Sequence, residues 1–327
     1  FTHLHTHSHY SLLDGMSKIK DMVKLAKEHG MSAIALTDHG VMYGVIEFVQ
    51  VAHKAGLKPL IGVEVYVAPK GHTNKRGRLD ADPRHLTLLA QNNAGYQNLI
   101  QLTTQAHLKG FYYTPRIDYE LLEQHNEGLV VLSGCINGDI PQAILSRNKD
   151  EVARLIEWHL TIFGKERFYF EVQHHPTLRE QNIINEALFA LSKNYKVGLV
   201  ATADSHYLSA DDAEAQDVLI CVQTGKKVQE KDRLSMLGED FSLKGPAELK
   251  ELWKEHPAAI DNTQRIAGQC TVELGFGKNY LPHYPLPTGI TADEEVTKLS
   301  EAGLSRRYGH SLPPAVRERL AYELGGI

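Results

Sequence analysis

Cysteine is scarce in this sequence: Cys135, Cys221 and Cys270 are the three cysteines in 327 residues, and no two of them form a CxxC pair. So few cysteines exclude a disulfide framework and indicate a reducing environment, so a cytoplasmic location is expected. No apolar run reaches the ~18 residues of a membrane-spanning helix. The sequence also has no internal repeat and no low-complexity tract.

The sequence has no excess of basic residues. Its 35 Lys and Arg are outnumbered by 40 Asp and Glu, which gives a formal net charge of −5. A free nucleic-acid-binding protein is usually basic, although bound divalent ions would each add two positive charges locally. If the chain acts on DNA, the net charge indicates that much of the DNA affinity lies outside this sequence.

Short apolar, β-branched runs alternate with longer amphipathic segments. The runs predict seven strands, at residues 3–5, 33–37, 60–67, 86–90, 129–132, 168–172 and 199–202. The segments between them predict helices, among them residues 17–29, 44–55, 94–107, 149–163 and 178–195. Seven strand–helix units in series predict an α/β fold with a parallel, closed barrel.

The alternation changes at two places. Residues 69–84 are polar and basic and predict an exposed, mobile loop. This loop is either merely solvated or an arm that contacts phosphate, with Lys70, Lys75, Arg76 and Arg78 as the candidates. After about Asp211 helical segments follow, and residues 281–289 form a Pro-rich connector. We expect a barrel domain over residues 1–275, then a linker and helices over residues 276–327.

Side chains that bind metals follow several predicted strands. The residues concerned are His5 and His7, Asp38 and His39, Glu64, and Asp204 with His206. Histidines at i and i+2 of an extended segment point to the same side, and catalytic residues of barrels lie at the carboxyl ends of the strands. The pattern therefore predicts a metal site built from histidines and carboxylates.

Each position also has a plainer interpretation. Asp38 is expected to cap the following helix, Asp14 could be a turn residue before Gly15, and Cys135 could be a small buried hydrophobe. Glu64 is harder to explain without a metal, because an unpaired carboxylate in the apolar run LIGVEVYV is costly to bury.

The local pattern leaves the roles of two further histidine positions open. His85 precedes its apolar run, so the rule of strand ends does not place it. His174 and His175 follow a predicted strand and are candidates for substrate contacts.

Together these residues resemble the PHP family, the polymerase and histidinol phosphatase domains. They are especially similar to the N-terminal region of bacterial replicative DNA polymerase III alpha subunits. The resemblance runs over essentially the whole chain, through FTHLHTHSHYSLLDG, ALTDHGVMYG, KPLIGVEVYV, HLTLLAQNNAGYQNL, GLVVLSGC, ATADSHYLSADDAEAQDVLICVQTGK and NTQRIAGQC…NYLP. It implies a distorted (β/α)7 barrel with a mainly helical C-terminal extension.

The resemblance also implies nine ligands for about three divalent ions, and every one of the nine positions holds a residue able to bind metal. Zinc or manganese suits the mixed set of ligands. The three implied sites are His5, His7, Glu64 and Asp204; Glu64, His85 and Cys135; and Asp14, His39 and His206.

The activity implied is phosphodiester hydrolysis, with Glu64, Asp204 and His206 as catalytic residues. A 3′–5′ exonuclease acting on a primer 3′ end is expected, with the rest of a polymerase alpha subunit as partner. The polymerase palm is not part of the sequence, so no polymerase activity is expected. One alternative is a non-catalytic module that braces the polymerase or docks a separate proofreading subunit. Another is a small-molecule phosphomonoesterase.

Overall fold

The computed structural model describes residues 1–12, 14–77, 80–279, 281–309 and 311–327. The chain divides into two compact units, Phe1–Leu274 and Gly275–Ile327. Among the described residues, no helix has both the length and the apolar character needed to cross a membrane.

Strands and helices alternate through most of the larger unit. Its strands are β1 (Ala33–Leu36), β2 (Lys58–Val67), β3 (Arg84–Ala90), β4 (Arg116–Ile117), β5 (Leu129–Leu132), β6 (Phe168–Gln173) and β7 (Gly198–Thr202). Its helices are α1 (Ile19–Glu28), α2 (Val45–Ala55), α3 (Asn93–Leu108), α4 (Tyr119–Gln124), α5 (Asp139–Leu145), α6 (Lys149–Phe163), α7 (Arg179–Tyr195), α8 (Ala213–Thr224), α9 (Pro246–Leu252) and α10 (Pro257–Gln269). The smaller unit contains α11 (Ala292–Tyr308) and α12 (Pro314–Gly326).

The seven strands form one mixed sheet in the order β1-β2-β3-β5-β6-β7, with β4 beside β2. The α/β class and the helical C-terminal part are confirmed. The expectation of an all-parallel sheet is wrong at β3, which runs antiparallel to both β2 and β5. Parallel neighbours need a crossover that usually contains a helix. No α-helix is described among residues 68–77 and 80–83, so the chain returns directly beside β2.

The predicted strand at residues 3–5 is an extended segment without a strand ladder. The amide of Ala35 donates to the carbonyl of His3 at 2.9 Å, and the amide of His7 donates to the carbonyl of Ser205 at 2.8 Å. The N-terminal segment therefore lies between β1 and the chain that follows β7, at the two edges of the sheet. The seventh strand is instead the two-residue β4, which sequence analysis did not predict.

One face of the sheet changes from apolar to polar along each strand. Apolar side chains at one end form a buried cluster with α10, made of Leu4, Ala33, Ala35, Leu60, Leu89, Val130, Leu132, Tyr169, Val200, Ile266, Ala267 and Cys270. Side chains alternate with a period of two residues, so Glu64 shares the face of Leu60 and Asp204 continues that of Val200. The cluster supports a polar rim at the opposite end.

Candidate metal centre

The rim gathers side chains from distant parts of the chain. Glu64 lies near the carboxyl end of β2, and Asp204 follows β7 by two residues. His85 reaches the same rim because β3 is antiparallel: Thr87 pairs with Glu64 and His85 with Tyr66. The start of β3 therefore lies beside the end of β2, which explains why the rule for parallel strands could not place His85.

The carboxylate of Glu64 is at the middle of the cluster and is almost fully buried. Its Oε2 lies 2.5 Å from His39 Nδ1, 3.5 Å from His7 Nε2 and 3.6 Å from His5 Nε2. Its Oε1 lies 2.8 Å from His85 Nδ1 and 3.6 Å from the sulfur of Cys135.

The remaining predicted ligands complete the group. Asp204 Oδ1 lies 3.1 Å from His7 Nε2 and 3.3 Å from His5 Nε2. Asp14 Oδ2 lies 3.2 Å from His39 Nε2. The His206 ring stacks on His7 at 4.3 Å between ring centroids. Asp204 has a φ of 49°, a left-handed conformation that costs a non-glycine residue about 1–3 kcal/mol.

Three sets of side chains have ligand atoms close enough together to hold one ion each. They are His7, His39 and His206; His5, His7 and Glu64; and His39, Glu64 and His85. The predicted ligands therefore meet at one place, although their grouping here overlaps that implied by the resemblance and does not reproduce it.

The proton positions of three histidines follow from the residues behind them. His5 Nδ1 is 2.7 Å from Glu171 Oε1, and His206 Nδ1 is 2.7 Å from the carbonyl oxygen of Asp204. Both acceptors lack hydrogens, so Nδ1 is the donor in each case. His7 Nδ1 is 2.8 Å from the hydroxyl of Ser11.

The hydroxyl of Ser11 is within hydrogen-bond distance of Asp38 at 3.1 Å. Because Ser11 uses its proton on Asp38, His7 Nδ1 must donate to it. With neutral rings, the Nε2 lone pairs of His5, His7 and His206 are then left free. Two of them, on His5 and His7, face the Asp204 carboxylate.

A lone pair facing a carboxylate at these distances is repulsive unless a cation or a proton lies between them. Within the described part of the chain, His5 Nε2, Glu64 Oε2, Asp14 Oδ1 and His39 Nδ1 are buried and lack a hydrogen-bond partner. Buried polar atoms without partners are rare and need an explanation. His39 Nδ1 and Glu64 Oε2 are close but not aligned for a hydrogen bond. These features fit ligands of divalent cations.

The pKa values of the carboxylates reflect their histidine neighbours. Burial by itself would raise the pKa of Glu64, but His85, His39 and His5 outweigh it and hold the pKa well below the ordinary value. The pKa of Asp204 is lowered in the same way, against burial and mainly by His5. Both groups are therefore anionic at neutral pH.

Burial determines the direction of the pKa shift at two further groups. It lowers the pKa of His7 to about 3, with the charges of His39 and His206 adding to the effect. It also raises the pKa of the Cys135 thiol well above the ordinary value, helped by the carboxylate of Glu64. A bound cation would reverse the effect on the thiol, because a coordinating thiol is deprotonated.

A cavity of about 330 Å³ opens onto this cluster. The predicted metal ligands line one side of the cavity. Leu178 and a segment after α8 line the other side. We call residues 226–240 the strap. The strap contributes Leu234, Ser235, Met236, Gly238 and Glu239 to the cavity wall.

The strap is attached at two points. Arg233 contacts both carboxylate oxygens of Asp217, at 2.6 and 2.5 Å. Glu239 accepts hydrogen bonds from the backbone amides of Thr177 and Leu178, at 2.6 and 3.0 Å. These contacts hold an apolar and mostly uncharged wall opposite the histidines.

The predicted substrate contacts lie apart from the cavity wall. His175 is buried against Phe241, at 4.4 Å between ring centroids, and His174 lies near Trp253. Neither histidine is among the residues that line the cavity.

The basic loop is partly exposed, and its side chains have different surroundings. Lys70 and Lys75 are exposed, while Arg76 is paired with Asp80 at 3.0 Å. Arg78 lies outside the described residues. The buried guanidinium of Arg116 donates to backbone carbonyls along the loop.

Sequence analysis missed two supporting carboxylates. Glu171, in the middle of β6, holds His5 and also accepts a hydrogen bond from Thr202 at 2.5 Å. Glu171 could have been found by the reasoning applied to Glu64, since it too is an acidic residue inside an apolar strand. Asp38 was expected to cap a helix. It instead accepts hydrogen bonds from the amide of Ser8, at 2.6 Å, and from Ser11, because α2 begins only at Val45.

Residues 3–175 match the PHP domain family. The chain is 43% identical over 330 residues to a DNA polymerase III subunit alpha of Borreliella burgdorferi, covering 100% of this chain and 28% of that protein. It is 40% identical over 337 residues to the Thermus aquaticus subunit, covering 99% and 27%.

The chain thus spans little more than a quarter of these relatives. A solved two-domain protein of Bacteroides vulgatus that contains a predicted PHP-like metal-dependent phosphoesterase is 16% identical, with a TM-score of 0.40. That similarity covers 76% of this chain and 61% of that one.

Proposed function

Because this chain belongs to the PHP domain family and is similar over its whole length to DNA polymerase III alpha subunits, we propose that it is a metal-dependent phosphodiesterase acting as a 3′–5′ exonuclease on DNA. The observation that carries the proposal is the Glu64 carboxylate. It is buried among five potential metal ligands at 2.5–3.6 Å. So many donors around one buried carboxylate are typical of a site with several ions.

About three divalent ions, zinc or manganese, would be held by nine residues. The proposed ligands are His5, His7, Asp14, His39, Glu64, His85, Cys135, Asp204 and His206. Such ions would activate water as a nucleophile and stabilise negative charge on a phosphate.

The protein's own groups orient this chemistry. Glu171 fixes the His5 ring so that Nε2 faces the cluster. The bond from His206 Nδ1 to the Asp204 carbonyl leaves Nε2 of His206 as the atom able to accept an ion or a proton. Glu64, Asp204 and His206 are therefore the proposed catalytic residues. The strap covers part of the cavity with Leu234 and Met236 among its lining residues, and it would limit the access of bulk water.

The partners proposed are a DNA primer 3′ end and the remainder of a polymerase alpha subunit. A proofreading function would remove a mismatched nucleotide from the primer. A cytoplasmic location belongs to the same proposal. The larger unit would supply the hydrolytic site, and the smaller unit would lead toward a polymerase domain.

A hydrolysis assay on a mismatched primer tests the proposal. The chain would be incubated with 5′-labelled primer–template DNA with a 3′ mismatch, in manganese or zinc. We expect stepwise shortening of the primer, which is lost in Glu64→Gln. The matched control is Glu180→Gln, an exposed glutamate in the first turn of α7. Circular dichroism would establish that both variants are folded.

Each other outcome identifies a different role. Metal binding without any shortening of the primer would overturn the exonuclease and leave a bracing or docking module. Preferential hydrolysis of a small phosphomonoester would instead indicate a small-molecule phosphatase. Shortening by the Glu64→Gln variant at the wild-type rate would place the activity at another site.

A further inference from the structure

An exposed aromatic surface lies beside the metal centre and has no role in the chemistry proposed above. We define it by three side chains: Tyr43, which is 59% exposed, Phe111, which is 49% exposed, and Tyr113, which is 75% exposed. The His107 ring lies between Tyr43 and Phe111, with centroids 6.4 and 6.3 Å away. Single exposed apolar side chains are common, but a contiguous exposed apolar patch often marks a binding site.

Tyr113 is held in this exposed position at the tip of a tight turn. The Tyr112 amide donates to the Thr114 carbonyl at 3.0 Å, and Tyr113 between them has a φ of 60°. A left-handed conformation is unfavourable for a bulky residue. Such strain persists where the surroundings enforce it and is frequent at ligand sites.

Several hydrogen bonds hold the surroundings of the turn. The buried guanidinium of Arg116 donates to the Gly110 carbonyl at 2.9 Å and to the His72 and Asn74 carbonyls at 2.8 Å. The hydroxyl of Tyr112 accepts from the amide of Gly77 at 3.1 Å. These bonds join the aromatic turn to the basic loop, so the two form one surface.

The charge of this joined surface is positive. Lys70, Lys75 and Lys109 are exposed, and none of them forms an ion pair with a described residue. The neighbouring carboxylates of Asp80 and Asp118 are paired with other side chains, Arg76 and His72 respectively. Exposed aromatic rings beside unpaired lysines are the combination used to bind single-stranded nucleic acid.

The surface is also connected to the metal centre. His107 Nε2 donates to the carbonyl of Gly40 at 3.1 Å, and Gly40 directly follows the predicted ligand His39. A Cβ added to Gly40 would lie 2.6 Å from Cγ of Pro115, so the aromatic turn packs directly against this loop. Tyr43 follows His39 by four residues, so their Cα atoms are at most ~14 Å apart. That is roughly four nucleotides at the ~3.4 Å rise of a stacked strand.

We propose that Tyr43, Phe111 and Tyr113, with Lys75 and Lys109, bind single-stranded DNA. Bases stack on the rings, and the lysines neutralise the phosphates a few nucleotides from the end held at the metal centre. This assignment rests on the proposed function, because it provides the path of the strand that is hydrolysed.

Fluorescence anisotropy with a labelled oligothymidylate of twelve nucleotides tests the site. Excess chelator would be present, so that binding is measured without hydrolysis. Stacking contributes about 1–3 kcal/mol per base, so Phe111→Ala combined with Tyr113→Gly should raise Kd at least tenfold. Glycine at 113 accepts the positive φ, so this change removes the ring without straining the turn. Tyr113→Trp should bind as tightly as the wild type.

The matched control is Tyr322→Ala, a residue that is 72% exposed in the smaller unit and should leave Kd unchanged. If hydrolysis fails while the aromatic variants still lose binding, only the proposed activity is overturned. An unchanged Kd in the aromatic double variant overturns the DNA site and leaves a protein partner as its occupant.

Discussion

At the scale of single residues, the atoms presented to the cavity are selected by a layer of side chains behind them. Glu171 accepts the proton of His5 Nδ1, and Ser11 accepts that of His7 Nδ1, in turn held by Asp38. Partners of this kind fix the tautomer and orientation of a metal ligand. Replacing one of these partner side chains should weaken metal binding although every metal ligand is kept.

Replacing Glu171 with Gln tests this role. The amide keeps the shape of the side chain but loses the charge that orients and polarises His5. Loss of such a partner typically reduces metal affinity 10–100-fold, so we expect a loss of that size for manganese or zinc, measured by isothermal titration calorimetry. Glu180→Gln is the control and should bind as the wild type. Equal affinity in Glu171→Gln would show that this contact does not support the site.

The sequence was informative about individual ligands and much less so about their surroundings. His5, His7 and Glu64 were predicted because their strand-end or buried positions are visible in the local pattern. Glu171 and Asp38 received no supporting role, because that role depends on contacts with residues 166 and 30 positions away. The local sequence does show Glu171 as an acidic residue inside an apolar strand, but it does not show which side chain Glu171 contacts.

At the scale of elements, the direction of a strand and the contacts that hold a loop decide which side chains lie at the rim. The strand β3 was predicted with nearly correct bounds, but its direction depends on the connection before it. The basic loop was predicted to be mobile from its composition. The buried Arg116 whose guanidinium donates to the loop lies about 40 residues further on. The composition of the loop could not reveal these hydrogen bonds. The strap over the cavity was likewise read only as part of a helical region.

The anchor of the strap gives a prediction for its pH dependence. The Arg233 guanidinium, hydrogen-bonded to Asp217, lowers the pKa of that carboxyl. A lowered folded-state pKa contributes stability that is present above the unfolded pKa of about 3.9 and is lost as the pH falls through the folded value. The strap should therefore stay anchored at neutral pH and open only in acid, below about pH 4.

Hydrogen–deuterium exchange over residues 226–240 measures this opening, after correction for the intrinsic pH dependence of exchange. Asp217→Asn leaves Arg233 without its counter-charge and should lower the opening free energy at pH 7 by about 1.5–3 kcal/mol. Asp232→Asn, an exposed aspartate of the strap itself, is the control and should exchange like the wild type. Unchanged protection in Asp217→Asn would mean that Glu239 alone anchors the strap.

At the scale of the whole molecule, the proposed ligands run from His5 to His206, whereas Gly275–Ile327 contributes none of them. All the strands of the larger unit must therefore be in place before these ligands can meet. Metal binding should be coupled to the folding of that unit as a whole and should leave the smaller unit unaffected.

Thermal unfolding with and without metal measures this coupling. An ion that binds only the folded state adds about 2.7 kcal/mol at a concentration 100 times its Kd. That corresponds to a rise in Tm of roughly 5 °C for a unit of this size. Trypsin should cut after the exposed Lys278, and mass spectrometry would identify the larger piece. That piece should resist further digestion longer in manganese than in chelator, whereas Glu64→Gln should gain much less from the metal. An equal Tm in both conditions, with metal binding shown by calorimetry, would mean that the ions bind the unfolded chain as tightly as the rim.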